Sequence, residues 1–192
     1  MRFTDRTIDS PMHTISIRRE RTAAAASVVG FALALAAAAQ VALPLPGTPV
    51  PLTLQPLLVV LAGMMLGPRA GAASVALYLA AGAAGLPVFA PIGAPGLARL
   101  LGPTGGYLLA YPAAACVAGL LARRAYGLAT RTWAAAAGMI VLYVGGLAQL
   151  TLLTGSVERA ALLGVLPFAA ADAVKALVAA AITRPRAAGR SR

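Results

Sequence analysis

The sequence holds one cysteine, one histidine and five acidic residues among 192, which leaves little material for catalysis. Cys116 lies inside an apolar run, and without a second thiol it excludes an intrachain disulfide and any multi-cysteine metal site. Packing is its expected role. His13 sits in the amino-terminal arm, where no catalytic part is expected of it. The apolar segments offer no histidine, no cysteine cluster and no close acidic pair for a metal or hydrolytic site. An enzyme is therefore not expected, and nothing calls for a cofactor. The phosphate-cradling pattern Gly-x-x-x-x-Gly-Lys-Ser/Thr is also missing. A transport cycle would have to draw its energy from a partner.

What the chain has is apolar length. Hydrophobic residues make up 60%, charged residues 11%, and the mean hydropathy is +0.83. Several stretches exceed what a soluble core helix needs, so the expected class is an all-α membrane protein with the lipid bilayer as its solvent. The formal charge of +11 does not point to nucleic acid, because the basic residues fall in short clusters between apolar stretches. Apolar runs and turn signals place six transmembrane helices at 22–43, 50–67, 70–86, 104–122, 133–153 and 167–184. The second and third share a tight Leu66-Gly-Pro-Arg69 turn and form a helical hairpin. The alanine-rich first run has no clear cleavage site after it and reads as a mature span. The expected organisation is a basic arm, 1–21, unstructured over 1–20; a six-helix domain, 22–184; and a basic tail, 185–192.

Arginine placement orients these spans. One side carries Arg2, Arg6, Arg18, Arg19 and Arg21 in the arm, Arg69 in the hairpin turn, Arg123, Arg124 and Arg131, and Arg184, Arg186, Arg190 and Arg192 in the tail. The other side has only Arg99 and Arg159. Positive residues favour the cytoplasmic side, so both termini are expected in the cytoplasm. Connections 44–49, 87–103 and 154–166 then face outward. They are rich in proline and glycine, and irregular backbone at membrane depth survives only where protein covers it or a wet cavity receives it. They read either as a lid over an outward-facing cavity or as plain surface loops.

The few polar residues within spans can be weighed singly. Asp172 and Lys175 stand alone in Pro167-Phe-Ala-Ala-Ala-Asp-Ala-Val-Lys-Ala-Leu177, and their i, i+3 spacing puts both on one helix face. Intramembrane charges are costly and mark functional sites or mutual pairs. With Pro167 starting the last span, Asp172 would lie ~8 Å below the helix start, within reach of a solute from outside. A carboxylate accepts two hydrogen bonds side by side and suits paired N–H donors, whereas an ammonium suits a carbonyl or carboxylate. Gln55 is expected about one turn into the second span beside a turn broken by Pro56, as a ligand contact or as interhelical glue. Tyr78 lies mid-span and its hydroxyl needs a partner. Tyr107, Tyr111, Trp133 and Tyr143 read as interfacial aromatic belts, and Gln149 is uninformative alone.

Five blocks in order resemble one family. They are Pro49-Val-Pro-Leu-Thr-Leu-Gln-Pro56, Val60-Leu-Ala-Gly-Met-Met-Leu-Gly-Pro-Arg69, Tyr78-Leu-Ala-Ala-Gly-Ala-Ala-Gly-Leu-Pro-Val-Phe89, Leu101-Gly-Pro-Thr-Gly-Gly-Tyr-Leu108 and Gly164-Val-Leu-Pro-Phe-Ala-Ala-Ala-Asp-Ala-Val-Lys175. Together they resemble the BioY family of biotin transporters, the substrate-binding S components of energy-coupling factor importers. The resemblance implies six helices, biotin captured from outside, and two kinds of partner: an energy-coupling transmembrane subunit and cytoplasmic ATPase subunits. It also gives the polar residues an implied ligand. Asp172 would accept from the ureido ring, and Lys175 would meet the ureido carbonyl or orient Asp172. Gln55 and Tyr78 would complete the head-group pocket, Phe89 and Leu108 would cover the thiophane ring and alkyl chain, and Arg99 would meet the carboxylate.

On the first span Ala26, Gly30, Ala34 and Ala38 form a small-residue ridge that lets another helix approach closely. The resemblance assigns it to docking of the coupling subunit; chance in an alanine-rich run is the other explanation. Two further readings stay open: an S component for another small vitamin, and a non-transporting membrane scaffold in which Asp172 and Lys175 serve only each other.

Overall fold

The computed structural model of the protein describes residues 11–183. From Met12 to Val29 no proline or glycine interrupts the chain, and its alanine, arginine and glutamate favour helix. Helix α1 accordingly runs Pro11–Gln40 in one piece. The arm expected to be unstructured over residues 1–20 is thus helical from Pro11; residues 1–10, and the tail 185–192, lie outside the described residues.

Four prolines follow within eleven residues, each without a backbone N–H and each fixed near an extended or turn conformation. The chain therefore leaves the helix three residues before the expected position 43. Strands β1 (Ala42–Leu43) and β2 (Leu52–Thr53) pair antiparallel, Ala42 opposite Thr53. Helix α2 (Gln55–Leu66) starts later than the expected position 50. Gln55 is its first residue, and Pro56 sits in the first helical positions, where a missing N–H costs no intrahelical bond. The expected broken turn beside Gln55 is therefore absent. Gly67, at φ +89°, makes the sharp corner into α3 (Pro68–Ala83), and the hairpin forms as expected.

After α3 the chain turns irregularly to a short outer helix, α4 (Leu97–Leu101), then enters α5 (Gly105–Ala122) and α6 (Leu128–Thr154). Ser156 caps α7 (Val157–Gly164) by accepting from the Arg159 N–H at 3.3 Å. A turn holding Pro167 separates α7 from α8 (Ala169–Ile182), and the two helices bend by 56°.

Helices stand at all six expected places. Among the described residues three are by length and composition able to cross a membrane: the Thr22–Gln40 part of α1, α5 and α6. The α7 and α8 pair, bent at its break, makes a fourth if the two helices are one span. At 1.5 Å per residue α2 and α3 reach about 18 and about 24 Å, short of the ~30 Å hydrocarbon thickness.

Small residues draw the bundle together. Ala114, Ala115 and Ala118 of α5 are fully buried, and a Cβ added to Gly63 of α2 would stand 1.9 Å from the Ala115 carbonyl oxygen. Close backbone approach of this kind is the usual basis of helix packing in lipid. Large apolar side chains face outward instead: Leu152 is 85% and Leu101 78% exposed, the reverse of a water-soluble bundle. Trp133 is exposed.

Candidate functional site

One cavity gathers the unusual polar residues. It is walled by the β1–β2 turn segment, α2, α3, the segment before α4, α4 itself, α5, α6 and α8, and its empty space, adjoining open solvent included, is about 670 Å³. Asp172, Lys175, Gln55, Tyr78, Arg99, Phe89 and Leu108, drawn from six different stretches of sequence, all line it.

Asp172 is held in the first turn of α8. Its Oδ1 accepts from Lys175 Nζ at 2.7 Å, and its Oδ2 accepts from the Tyr143 hydroxyl at 2.6 Å. Asp172 and Lys175 are both buried. Two donors on one carboxylate keep the anion tolerable away from water, and each oxygen retains further acceptor capacity toward the cavity. Tyr143 is the residue that the sequence reading missed. Tyr143, Tyr107 and Tyr111 were expected in aromatic belts, yet all three line the cavity, and Tyr107 donates to the Gly164 carbonyl at 2.7 Å. Helix α6 starts five residues before the expected position 133, which places Tyr143 deeper along it.

Across the cavity, Gln55 Nε2 donates to the Tyr78 hydroxyl at 2.6 Å, so that hydroxyl has the partner its depth requires. Tyr78 meets Phe89 edge to face, ring centres 5.5 Å apart, an arrangement that aromatic quadrupoles favour. Arg99, on α4, is buried and not in solvent. Its two Nη atoms donate to the Ile92 and Ala90 carbonyls, while its Nε is buried with no hydrogen-bond partner. Burial holds this guanidinium below its ordinary pKa. Among the described residues no group of three His, Cys, Asp or Glu is placed to hold a metal ion.

The ridge on α1 lies apart from the cavity. Ala26 and Gly30 are exposed, and Ala34 and Ala38 half-buried. Gly30 and Ala34 line a shallow apolar groove with Leu58, Leu61 and Met65 of α2, and a Cβ on Gly30 would touch nothing within 4 Å.

A bundle with outward-facing apolar sides and an internal cavity of paired polar groups is the arrangement of a multi-pass membrane protein. The sequence model of the BioY family matches residues 10–191, and the chain belongs to that family. It is 41% identical over 136 residues to the probable biotin transporter BioY of Pyrococcus horikoshii, covering 70% of this chain and 78% of that one. It is 38% identical over 134 residues to the biotin transporter BioY of Thermotoga maritima, with 70% and 79% covered. The fold also matches the crystal structure of the S-component for biotin from an ECF-type ABC transporter, with a TM-score of 0.80 at 24% identity over 86% of this chain and 91% of that one.

Proposed function

We propose that this protein binds biotin within the cell membrane and serves its uptake as the S component of an energy-coupling factor importer. The observation that carries the reading is the Asp172 carboxylate, buried at the cavity wall and fixed by Lys175 and Tyr143, in a chain of the BioY family. Biotin's ureido group presents two parallel N–H donors, and a fixed carboxylate accepts such a pair side by side. Lys175 orients that carboxylate and meets the ureido carbonyl. Gln55 and Tyr78 complete the polar end. Phe89 and Leu108 cover the thiophane ring and valerate chain, and Arg99, with its unpaired Nε, meets the terminal carboxylate.

The arginine distribution supports six spans with both termini in the cytoplasm, the short α2 and α3 crossing where neighbouring helices and a thinned bilayer cover their ends. Residues 1–21 and 185–192 are then cytoplasmic flanks of a single binding domain, 22–184. The open α1 groove at Gly30 and Ala34 suits close approach by a helix of the coupling subunit, and cytoplasmic ATPase subunits supply the energy. Labelled biotin equilibrated with the purified protein tests the reading: saturable binding at submicromolar ligand is expected, and its absence would favour a scaffold that binds no vitamin. Thiol labelling of single cysteines placed in the 123–127 and 87–96 connections tests the orientation, since only the second should react from outside.

A further inference from the structure

The segment from Leu86 to Gly102 closes one side of the cavity and contributes Phe89, Ala90 and Arg99 to its wall. Its apolar anchorage lies near its two ends, where Val88, Phe89 and Leu100 pack against the core, while residues 91 to 95 between them are all exposed. Hydrogen bonds add to that hold and reach the exposed stretch that packing leaves free. Three side chains supply them. Arg99 ties the segment to itself through the Ala90 and Ile92 carbonyls. The other two are glutamines reaching in from different helices, one at each end.

At the first end Gln40, the last residue of α1, donates through Nε2 toward the Phe89 carbonyl at 3.2 Å and the Pro87 carbonyl at 3.4 Å. At the second end Gln149 of α6 donates through Nε2 to the Gly102 carbonyl at 2.6 Å and the Leu100 carbonyl at 3.0 Å. The second reach depends on glycine. A Cβ on Gly105 would stand 1.9 Å from the Leu100 oxygen and 2.6 Å from Gln149 Nε2, so any larger residue there would push the amide off its acceptors.

We propose that Gln40 and Gln149 are positioning residues that pin this segment as a strap over the cavity, and that the strap's release sets how fast ligand enters and leaves. The proposal rests on the binding function given above. Neither amide lines the cavity, so each acts through Phe89 and Arg99 and not on the ligand. Since Gln40 stands at the end of the helix that carries the open groove, the strap also links that groove's helix to the cavity mouth.

The test replaces each amide by a side chain of similar length that cannot donate: Gln40→Met and Gln149→Met. Stopped-flow binding of labelled biotin should show dissociation faster by roughly five-fold for Gln40→Met, whose two long contacts compete with the Ala36 carbonyl of its own helix and count as one net hydrogen bond, and by roughly 25-fold for Gln149→Met, which loses two. Association should quicken with it, so the equilibrium constant moves by less than about three-fold. A merely structural role lowers the fraction of active protein and leaves both rates of that fraction alone. Unchanged dissociation overturns the proposal, and so does faster dissociation with unchanged association, which signals lost ligand contacts. A second measurement needs no ligand. In a Cys116→Ala background, spin labels at Ala94→Cys and Leu152→Cys should give one narrow distance, joined by a longer population when either glutamine is replaced. An unchanged distance overturns the proposal. Failure of the parent protein to bind biotin would instead refute the binding function, with the distance result still deciding what the glutamines hold.

Discussion

The Tyr143 hydroxyl donates to Asp172 Oδ2 at 2.6 Å across 29 residues of sequence, joining the middle of α6 to the first turn of α8. With Lys175 on the other oxygen, the carboxylate has a fixed orientation without being filled. Tyr143→Phe removes one hydrogen bond to a charged acceptor, worth about 1.5–3 kcal/mol. Biotin affinity should fall by roughly ten-fold or more while the protein still folds, as read by calorimetry on the purified variant. Unchanged affinity would mean that Tyr143 does not help to orient Asp172.

Lys175→Met should do more damage, because a buried carboxylate that loses its counter-charge costs about 3–5 kcal/mol. Adding Asp172→Asn to it removes the stranded charge, and residues in contact are not additive. The double variant should regain much of the lost thermal stability without regaining biotin binding. A double variant no more stable than Lys175→Met alone would show that the two residues are not coupled as a pair.

Packing makes a separate claim. In Gly63→Ala the new methyl would overlap the Ala115 backbone oxygen, which no rotamer change relieves. Overpacking typically costs about 1–3 kcal/mol, so the unfolding temperature should drop. A variant as stable as the parent would mean that α2 and α5 are not held this close.

Ala34→Leu fills the groove on α1 without touching the cavity. Biotin binding should persist while co-purification with the energy-coupling subunits is lost. Normal assembly would remove the ridge from the docking surface.

How far the sequence was legible follows from where each signal lies. Asp172 and Lys175 could be read because charge is conspicuous in an apolar run, and helical spacing put them on one face. Gln55 was found by its polarity, but the turn around it was misread: four prolines keep the chain out of helix until Gln55, so Pro56 begins a helix instead of breaking one. Arg99 was legible as chemistry but not as a buried residue, since its burial depends on the irregular segment folding back to offer the Ala90 and Ile92 carbonyls. Tyr143 resembled a belt residue because α6 was expected to start at 133 and starts at Leu128. Gln149 carried no signal of its own; its acceptors come within reach only because Gly105 lets the start of α5 and the end of α4 crowd against α6. Side-chain polarity is local and readable, whereas the depth of a residue and the partners it meets are set by close approaches between distant segments.

The most direct measurement is titration of the purified protein with biotin beside its Asp172→Asn variant. Saturable submicromolar binding by the parent is expected, weakened roughly 10- to 100-fold in the variant, as loss of charge-assisted hydrogen bonds requires. Equal affinity in the two proteins would contradict the assignment of Asp172 as the acceptor for the ligand's paired N–H donors.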